Sequence, residues 1–251
     1  MEKIKLLNCV LDSVDQSQLL ETLEKGFVIP TNVDCLMKLQ KDKELYEIYQ
    51  KADWVICDSQ VIQLGLKFLG TPVKEVIPGS SFFPMFYNFH KDNEKIKIFL
   101  LGAGHGIALK AQQIINQKVG REIIVGAISP SYGFEKNEEE CLNIIKKIND
   151  SGANVLAVGV GAPKQEKWIF KYKEALINID IFMALGATID FEAGNVKRAP
   201  SVVQKMRVEW LYRLYREPKR LWKRYLVDDM PFFSLVFKQK RGRYKNPFVH
   251  K

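Results

Sequence analysis

The chain has 251 residues, 47% of them apolar and 27% charged, with four cysteines and three histidines. This composition excludes disordered and fibrous proteins, and the spacing of the cysteines and histidines, without any CxxC pair, matches neither a zinc site nor a disulfide framework. The formal net charge of +9 is concentrated in residues 197–251, which hold 16 Lys and Arg against 4 acidic residues, so that residues 1–196 are slightly acidic.

Short apolar runs rich in β-branched residues alternate along the chain with longer segments of helical period. Strands are predicted at residues 27–31, 54–57, 96–101, 122–127, 154–159 and 180–185, and helices at residues 35–50, 61–69, 107–118, 137–149 and 164–176. This alternation is typical of a parallel, doubly wound sheet. We therefore predict a Rossmann-like α/β domain over residues 1–196 and a basic helical appendage over residues 197–251. Because the predicted sheet is complete by Leu185, the domain is expected to fold without the appendage.

Small and polar residues follow the predicted strands. In a doubly wound sheet, ligands bind outside the carboxyl ends of the strands, so these positions are the first candidates for a functional site. Glycines there let a ligand approach the backbone and leave helix N-terminal amides free to bind phosphate. The candidates in chain order are Thr31, Asn32, Asp34, Asp58, Gly104, Tyr132, Gly161, Lys164, Gln165 and Asp190.

Common phosphate-binding and metal-binding signatures are incomplete or absent in the sequence. Residues 102–106 match the first part of the GxGxxG dinucleotide-binding motif, but its last position, which requires glycine or alanine, is Ile107. The sequence contains no P-loop, no GxSxG elbow and no DxD carboxylate pair. A diphosphate would therefore be neutralised by protein cations and backbone amides, and we expect neither a metal nor a cofactor.

Several long motifs of the chain occur together in one known family. They are TNVD (31–34), the turn at Asp58, PGS (78–80), SPSYGF (129–134), GVGAPKQEKWI (159–169), GATIDFEAG (186–194) and KRAPSVVQKMRVEWLYRLYREPKRLWKRY (197–225). Over almost its entire length the chain resembles the TagA/WecG/CpsF glycosyltransferases. The resemblance implies inverting, metal-independent transfer of N-acetylmannosamine or a related sugar in teichoic acid or surface polysaccharide synthesis. The implied donor is a UDP-sugar, and the implied acceptor is a polyprenyl-diphosphate-linked N-acetylglucosamine.

Two positions depart from the usual pattern of that family, and they bear on which sugar is transferred. Ser81 and Val76 stand where the family often has an aspartate and an arginine. The first change affects contacts to hydroxyl groups of the donor or the acceptor, and the second removes a candidate phosphate ligand. Glucose and N-acetylmannosaminuronic acid therefore stay open as alternative sugars.

Carboxylates at strand ends are the candidates for the base that an inverting transfer needs. We predict that Asp58 is this base, because it follows the apolar strand WVIC, which would partly desolvate its carboxylate. The alternative is that Asp58 caps the next helix. Asp34 is the rival base, or equally a helix cap. Thr31 and Asn32 are grouped with the catalytic residues because they can meet sugar hydroxyls or the N-acetyl group, with local turn hydrogen bonds as the alternative.

The remaining candidates are predicted to bind the donor. Gly161, Lys164 and Gln165 open a helix, where freed amides and a cation favour a diphosphate. Tyr132 is predicted to stack on the uracil, with core packing as the alternative, and Asp190 to bind a nucleoside hydroxyl.

Cations repeat on one helical face of the basic segment. Arg213, Arg216, Arg220 and Arg224 are separated by 3, 4 and 4 residues, and Pro218 is expected to restart the helix. Apolar residues accompany these cations and the later basic run at 238–245, which is typical of an interfacial element that binds an anionic membrane surface. The resemblance implies that this segment closes over the active site and supplies Arg213 and Arg220, with Lys223 or Arg224, to the diphosphate.

Two other interpretations of the basic segment are a solvated amphipathic helix and a nucleic-acid-binding tail. The slightly acidic body argues against nucleic acid, and no stretch of 18 apolar residues is present to cross a bilayer. We therefore expect a cytoplasmic protein, peripheral at the inner face of the cell membrane, without a nucleic-acid partner. The sequence is also compatible with a homo-oligomer.

Overall fold

Within residues 2–196 and 209–249, which the computed structural model describes, the chain forms eight strands and twelve α-helices. The strands are β1 Glu2–Leu6, β2 Cys9–Ser13, β3 Gly26–Thr31, β4 Trp54–Cys57, β5 Ile98–Gly102, β6 Ile124–Ile128, β7 Val155–Gly159 and β8 Ile181–Ala184. The helices are α1 Gln16–Thr22, α2 Val33–Leu39, α3 Lys43–Gln50, α4 Gln60–Leu69, α5 Gly79–Phe89, α6 Ile107–Val119, α7 Glu138–Asp150, α8 Lys164–Tyr172, α9 Thr188–Glu192, α10 Glu209–Arg216, α11 Pro218–Lys223 and α12 Pro231–Lys240.

Six of the strands form one parallel sheet, in the order β4-β3-β8-β7-β5-β6. Because helices cover both faces of this sheet, its strands are buried on two sides, which explains their nearly continuous apolar runs. The other two strands, β1 and β2, pair as an antiparallel hairpin. The predicted fold class, a Rossmann-like α/β sheet, is confirmed.

Two apolar cores lie on opposite faces of the sheet. Successive residues of β3 alternate between them, with Ile29 in the core that contains α2, α3, α4, α7 and α8, and Val28 in the core that contains α1, α5, α6 and α9. After β3 the chain therefore passes to one face of the sheet, and after the neighbouring strand β8 it passes to the other face. At such a switch point a crevice opens beyond the carboxyl ends of the strands.

Three elements differ from what the sequence predicts. The predicted helix 35–50 is interrupted, because the side chain of Asp42 caps α3 by accepting from the Leu45 amide at 3.0 Å. The sequence also predicts neither the β1–β2 hairpin nor α5. Helix α5 is rich in phenylalanine and contains Pro84, so it lacks the apolar and polar alternation of an amphipathic helix.

The C-terminal segment begins as expected. Helix α10 ends at Arg216 and α11 begins at Pro218, which confirms the restart predicted at this proline. A π-helical turn, Arg224–Asp228, then leads to α12. In the part of the chain that the structure describes, no helix has the length and the apolar character that a membrane span requires.

The last helix shares the core of the sheet. Phe232 is fully buried and Val236 nearly so, in the same core as α4. The Phe232 ring packs so closely on Gly65 that a Cβ there would lie 2.9 Å from it. Beyond the helix, the Tyr244 hydroxyl donates to Gln40 Oε1 at 2.7 Å. This packing argues against independent folding of residues 1–196.

Candidate active site

A cleft of about 590 Å³ opens at the carboxyl ends of β3, β4 and β8, and residues 224–233 close one side of it. Its polar lining residues include Asn32, Asp34, Asp58, Ser59, Ser80, Gln165, Thr188, Arg224 and Asp229. Its apolar lining residues include Val61, Val76, Leu226, Met230 and Phe233. The cleft thus occupies the crevice at the switch point of the sheet, and its lining combines polar and apolar residues.

Asp58 lies in this cleft directly after β4. Its amide donates to the Thr31 carbonyl at 2.8 Å, which extends the β3–β4 pairing to the edge of the cleft. Ser59, and not Asp58, caps α4, since the Ser59 hydroxyl accepts from the Ile62 amide at 3.4 Å. The N-cap of α4 is therefore Ser59, and Asp58 is a half-buried residue in the lining of the cleft.

Asn32 and Asp34 line the cleft at the start of α2. Asn32 caps this helix by accepting from the Cys35 amide at 3.1 Å. The Asp34 carboxylate pairs with Lys38 at 2.7 Å and with Arg224 at 3.6 Å. Two cations thus contact the Asp34 carboxylate at the edge of the cleft.

Arg224 joins the C-terminal segment to the end of β3. Its Nη2 atom donates to Asn32 Oδ1 at 3.2 Å, and its Nε atom lies 3.9 Å from the Asp229 carboxylate. Burial raises the pKa of the Asp229 carboxyl to about 6, while the Arg224 guanidinium acts in the opposite direction. Arg224, a predicted phosphate ligand, is thus held in the cleft by two carboxyl groups and an amide.

Gln165 lies at the start of α8 and connects two loops of the cleft. Its Oε1 atom accepts from the Gly161 amide at 3.1 Å and from the Gly186 amide at 3.0 Å. These loops follow β7 and β8, which approach closely here, since a Cβ on Gly159 would lie 2.6 Å from the Gly186 carbonyl oxygen. Gly161 and Gln165 were both predicted as donor-binding residues, and both line the cleft.

Thr31 does not reach the cleft. Its side chain is fully buried, and its hydroxyl donates to the Ile29 carbonyl at 3.2 Å and contacts the Tyr49 hydroxyl at 3.4 Å. Direct contact between Thr31 and a sugar is incompatible with this geometry, because the side chain points into the core beside α3.

Four further predicted residues lie outside the lining of the described cleft, namely Gly104, Tyr132, Lys164 and Asp190. The Lys164 ammonium lies 5.5 Å from the centre of the fully exposed Tyr132 ring, so these two residues form one pair on the surface. The Asp190 carboxylate accepts from the Asn195 side chain at 3.0 Å. Donor binding by these residues stays a prediction.

The predicted cations of the appendage are only partly described. The side chains of Arg213 and Arg220 lie outside the described residues, so their roles stay predictions. Lys223 is exposed at the end of α11. Of the predicted cations whose side chains the structure describes, Arg224 is the one in the cleft.

Sequence reasoning missed Asp229 and the apolar residues that line the cleft. For Asp229 a signal was present, because residues 228 and 229 are an acidic pair in a segment with only four acidic residues. The apolar residues carry no such signal, because residues from α4 and from the C-terminal segment meet only in the folded chain.

The topology of the sheet places the chain among the Rossmann-like α/β proteins. The cleft lies at the switch point of the sheet, where such proteins bind ligands. The model of the glycosyl transferase WecG/TagA/CpsF family matches residues 4–246, and the chain belongs to this family. The resemblance stated from the motifs is thereby confirmed, as is the prediction of a glycosyltransferase.

The chain is similar to proteins named N-acetylglucosaminyldiphosphoundecaprenol N-acetyl-beta-D-mannosaminyltransferase. The one from Bacillus spizizenii strain W23 is 28% identical over 221 residues, which cover 88% of this chain and 82% of the relative. The one from Staphylococcus aureus strain MW2 is 24% identical over 252 residues, which cover 97% of this chain and 95% of the relative.

Proposed function

We propose that the protein transfers N-acetylmannosamine, or a closely related sugar, from a UDP-sugar to a polyprenyl-diphosphate-linked N-acetylglucosamine, with inversion at the anomeric carbon. The observation that carries the proposal is the position of Asp58, whose carboxylate lines a cleft at the switch point of a sheet from this glycosyltransferase family. The names of the relatives support the sugar and the acceptor.

In the proposed reaction Asp58 is the general base. An acceptor hydroxyl gives its proton to the Asp58 carboxylate while its oxygen bonds to the anomeric carbon of the donor sugar. The bond from that carbon to the phosphate oxygen breaks on the opposite face, and UDP leaves with the electron pair. A base within hydrogen-bond reach of the hydroxyl contributes about 10²-fold to 10⁴-fold to such a step.

Protein groups also stabilise the negative charge on the departing diphosphate in this proposal. Arg224 lies in the cleft, where it pairs with Asp34 and Asp229. Cations aimed at a leaving group act strongly in a site that excludes water. Arg213, Arg220, Lys164 and Lys223 are proposed to complete this set when substrate binds.

A donor panel tests the proposed function. The protein is incubated with a water-soluble lipid-diphosphate N-acetylglucosamine analogue and separately with UDP-N-acetylmannosamine, UDP-glucose and UDP-N-acetylmannosaminuronic acid, and UDP release is measured. We expect UDP-N-acetylmannosamine to be turned over fastest. Faster release from either of the other donors would overturn the sugar assignment, and release with none of them would overturn the proposed reaction.

We expect the transfer rate to be unchanged in EDTA. Within residues 2–196 and 209–249, no group of three or more His, Cys, Asp or Glu side chains could hold a metal ion, and Arg224 offers a protein cation in the cleft. UDP release in EDTA is compared with release in added magnesium or manganese. A rate that collapses in EDTA and returns with either metal would contradict this prediction.

The location that we propose is the inner face of the cell membrane, with the acceptor lipid and an anionic surface as partners. Beside the cleft, Leu226, Met230, Phe233 and Phe237 are each about half exposed. Next to them, the Arg241 guanidinium lies 4.1 Å from the centre of the Phe237 ring. Apolar side chains flanked by cations favour an interfacial position on anionic lipid.

Replacing Lys238, Arg243 and Lys245 with glutamine is expected to weaken binding to anionic vesicles on the order of 100-fold, since each cation near such a surface contributes about 1 kcal/mol. Binding is measured by co-sedimentation with phosphatidylglycerol vesicles. The matched control replaces Lys110, Lys146 and Lys147, which are exposed on α6 and α7. Equal losses in both variants would mean that net charge, and not this surface, drives binding.

A further inference from the structure

A pair of adjacent side chains, Gln165 and Glu166, lies at and beneath the cleft and joins two of its loops. Gln165 Oε1 accepts from the amides of Gly161 and Gly186, while Gln165 Nε2 donates to Glu166 Oε1 at 2.9 Å. Gln165 lines the cleft, and Glu166 is only 1% exposed. Hydrogen bonds therefore connect the buried Glu166 carboxyl group, through Gln165, to the two glycine loops at the surface of the cleft.

The Glu166 carboxyl supplies one of the three contacts that fix which way the Gln165 amide points. A side-chain amide has an acceptor oxygen and a donor nitrogen of almost the same shape, so its orientation depends on its partners. If the amide were flipped, its NH2 group would face the two backbone N–H donors of Gly161 and Gly186. It would also turn its carbonyl oxygen toward the Glu166 oxygen, so three favourable contacts would become three repulsive ones. An acceptor at position 166 adds to the cost of that arrangement and stabilises the observed one.

Buried carboxyl groups are costly, and Glu166 has few compensating contacts. Its Oε2 atom is buried without a hydrogen-bond partner among the described residues. Burial raises the pKa of Glu166 to about 7, and the groups whose charges act on it are Lys38 and Asp34. Cys35 and Tyr49 also face it from α2 and α3. A buried group with an unsatisfied atom next to a cleft calls for a functional explanation.

We propose that Glu166 is a positioning residue, which orients the Gln165 amide and so holds the glycine loops after β7 and β8 in the arrangement that forms the cleft. The effect of Glu166 on catalysis rests on the proposed transfer reaction. Its effect on the positions of the two loops does not depend on that reaction. Glu166 itself contacts no substrate, and its effect passes through Gln165.

Glycine amides report directly on this proposal. The chain has 16 glycines, so selective ¹⁵N-glycine labelling gives a simple NMR spectrum in which Gly161 and Gly186 are followed. In Glu166→Met we expect both amides to exchange with solvent at least about tenfold faster, because their acceptor is no longer held. In Glu166→Gln, which keeps an acceptor oxygen, exchange stays slow. The control Tyr172→Phe removes a buried hydroxyl from the same helix and leaves both amides unchanged. Unchanged exchange in Glu166→Met would overturn the proposal.

The pH dependence of the same resonances is a second readout. Burial makes the folded-state pKa of Glu166 higher than its ordinary value, so the folded protein holds this proton up to about pH 7. Both amide resonances are therefore expected to shift with a midpoint near pH 7 in the wild type and to lose this step in Glu166→Gln. A step that persists in Glu166→Gln belongs to another group and would count against Glu166.

Kinetics separate positioning from general stability. We expect Glu166→Met to lower kcat/KM about 10-fold to 100-fold, as for other residues that orient a group in a site, and Glu166→Gln to retain most of the activity. The double variant Gln165→Ala with Glu166→Met should be no worse than Gln165→Ala alone. Losses that multiply would mean that Glu166 acts independently of Gln165. If the wild type transfers no sugar at all, the proposed reaction fails, and the amide measurements still decide the role of Glu166.

Discussion

Asp58→Asn is expected to lower kcat by roughly 10²-fold to 10⁴-fold while leaving the fold and UDP binding intact. The amide is nearly the same size as the carboxylate, but it cannot take the proton of the acceptor hydroxyl. The backbone bond from Asp58 to Thr31 and the cap of α4 by Ser59 do not depend on the Asp58 side chain, so the loop should keep its position. UDP release in single-turnover and steady-state assays, with UDP binding by calorimetry, measures the two effects.

The matched control for Asp58 is Asp34→Asn, which changes a second carboxylate in the lining of the cleft. This change weakens the pairs with Lys38 and Arg224, so we expect weaker docking of residue 224 and a smaller loss of kcat than in Asp58→Asn. Near-normal turnover of Asp58→Asn, together with inactive Asp34→Asn, would show that the base is Asp34.

The second large effect concerns stability. Phe232→Ala is expected to lower the free energy of unfolding by about 3–5 kcal/mol, because it removes a fully buried ring from the core beneath α4. Gly65 has no side chain that could fill the space. Urea denaturation, monitored by circular dichroism, gives the difference in the free energy of unfolding between Phe232→Ala and the wild type.

The neighbouring residue serves as the control for Phe232. Phe233→Ala removes a ring that is 56% exposed at the cleft, and we expect less than about 1 kcal/mol of destabilisation. A truncation after residue 196 should be less stable than Phe232→Ala, since it also exposes the surface on which α12 packs. If the truncated chain unfolds as cooperatively and at the same urea concentration as the full chain, the C-terminal segment contributes no core.

The strands and the position of the cleft could be predicted from sequence because they depend on local patterns. Apolar runs such as WVIC are typical of strands buried on both faces, and polar residues at their ends indicate the ligand edge. Helix α5 could not be predicted in this way. Its exposed positions include the apolar residues Met85 and Phe89, so polar residues do not mark its outer face, and Pro84 argues locally against a helix.

Neighbouring residues have different roles because their side chains point in different directions. Short sequence motifs do not specify these directions. Thr31 and Asn32 are adjacent, yet strand geometry points the Thr31 side chain into the core with Ile29, while Asn32 begins the next helix at the cleft. The contact between Arg224 and Asp34 joins residues far apart in sequence, and only the folded chain brings them together. Motifs therefore indicate which loops reach the cleft, but not which side chains of those loops do.

The contacts of α12 with the N-terminal hairpin also bear on how the protein is made. Gln239 Oε1 accepts from the Leu7 amide at 2.7 Å, and Gln239 Nε2 donates to the Lys5 carbonyl at 3.1 Å, across a sequence separation of 232 residues for the first bond. During synthesis the hairpin therefore leaves the ribosome 232 residues before its partner in α12. One side of the cleft, residues 224–233, is likewise synthesised late. Until the last helix has been translated, a nascent chain exposes the apolar surface of α4, which favours aggregation.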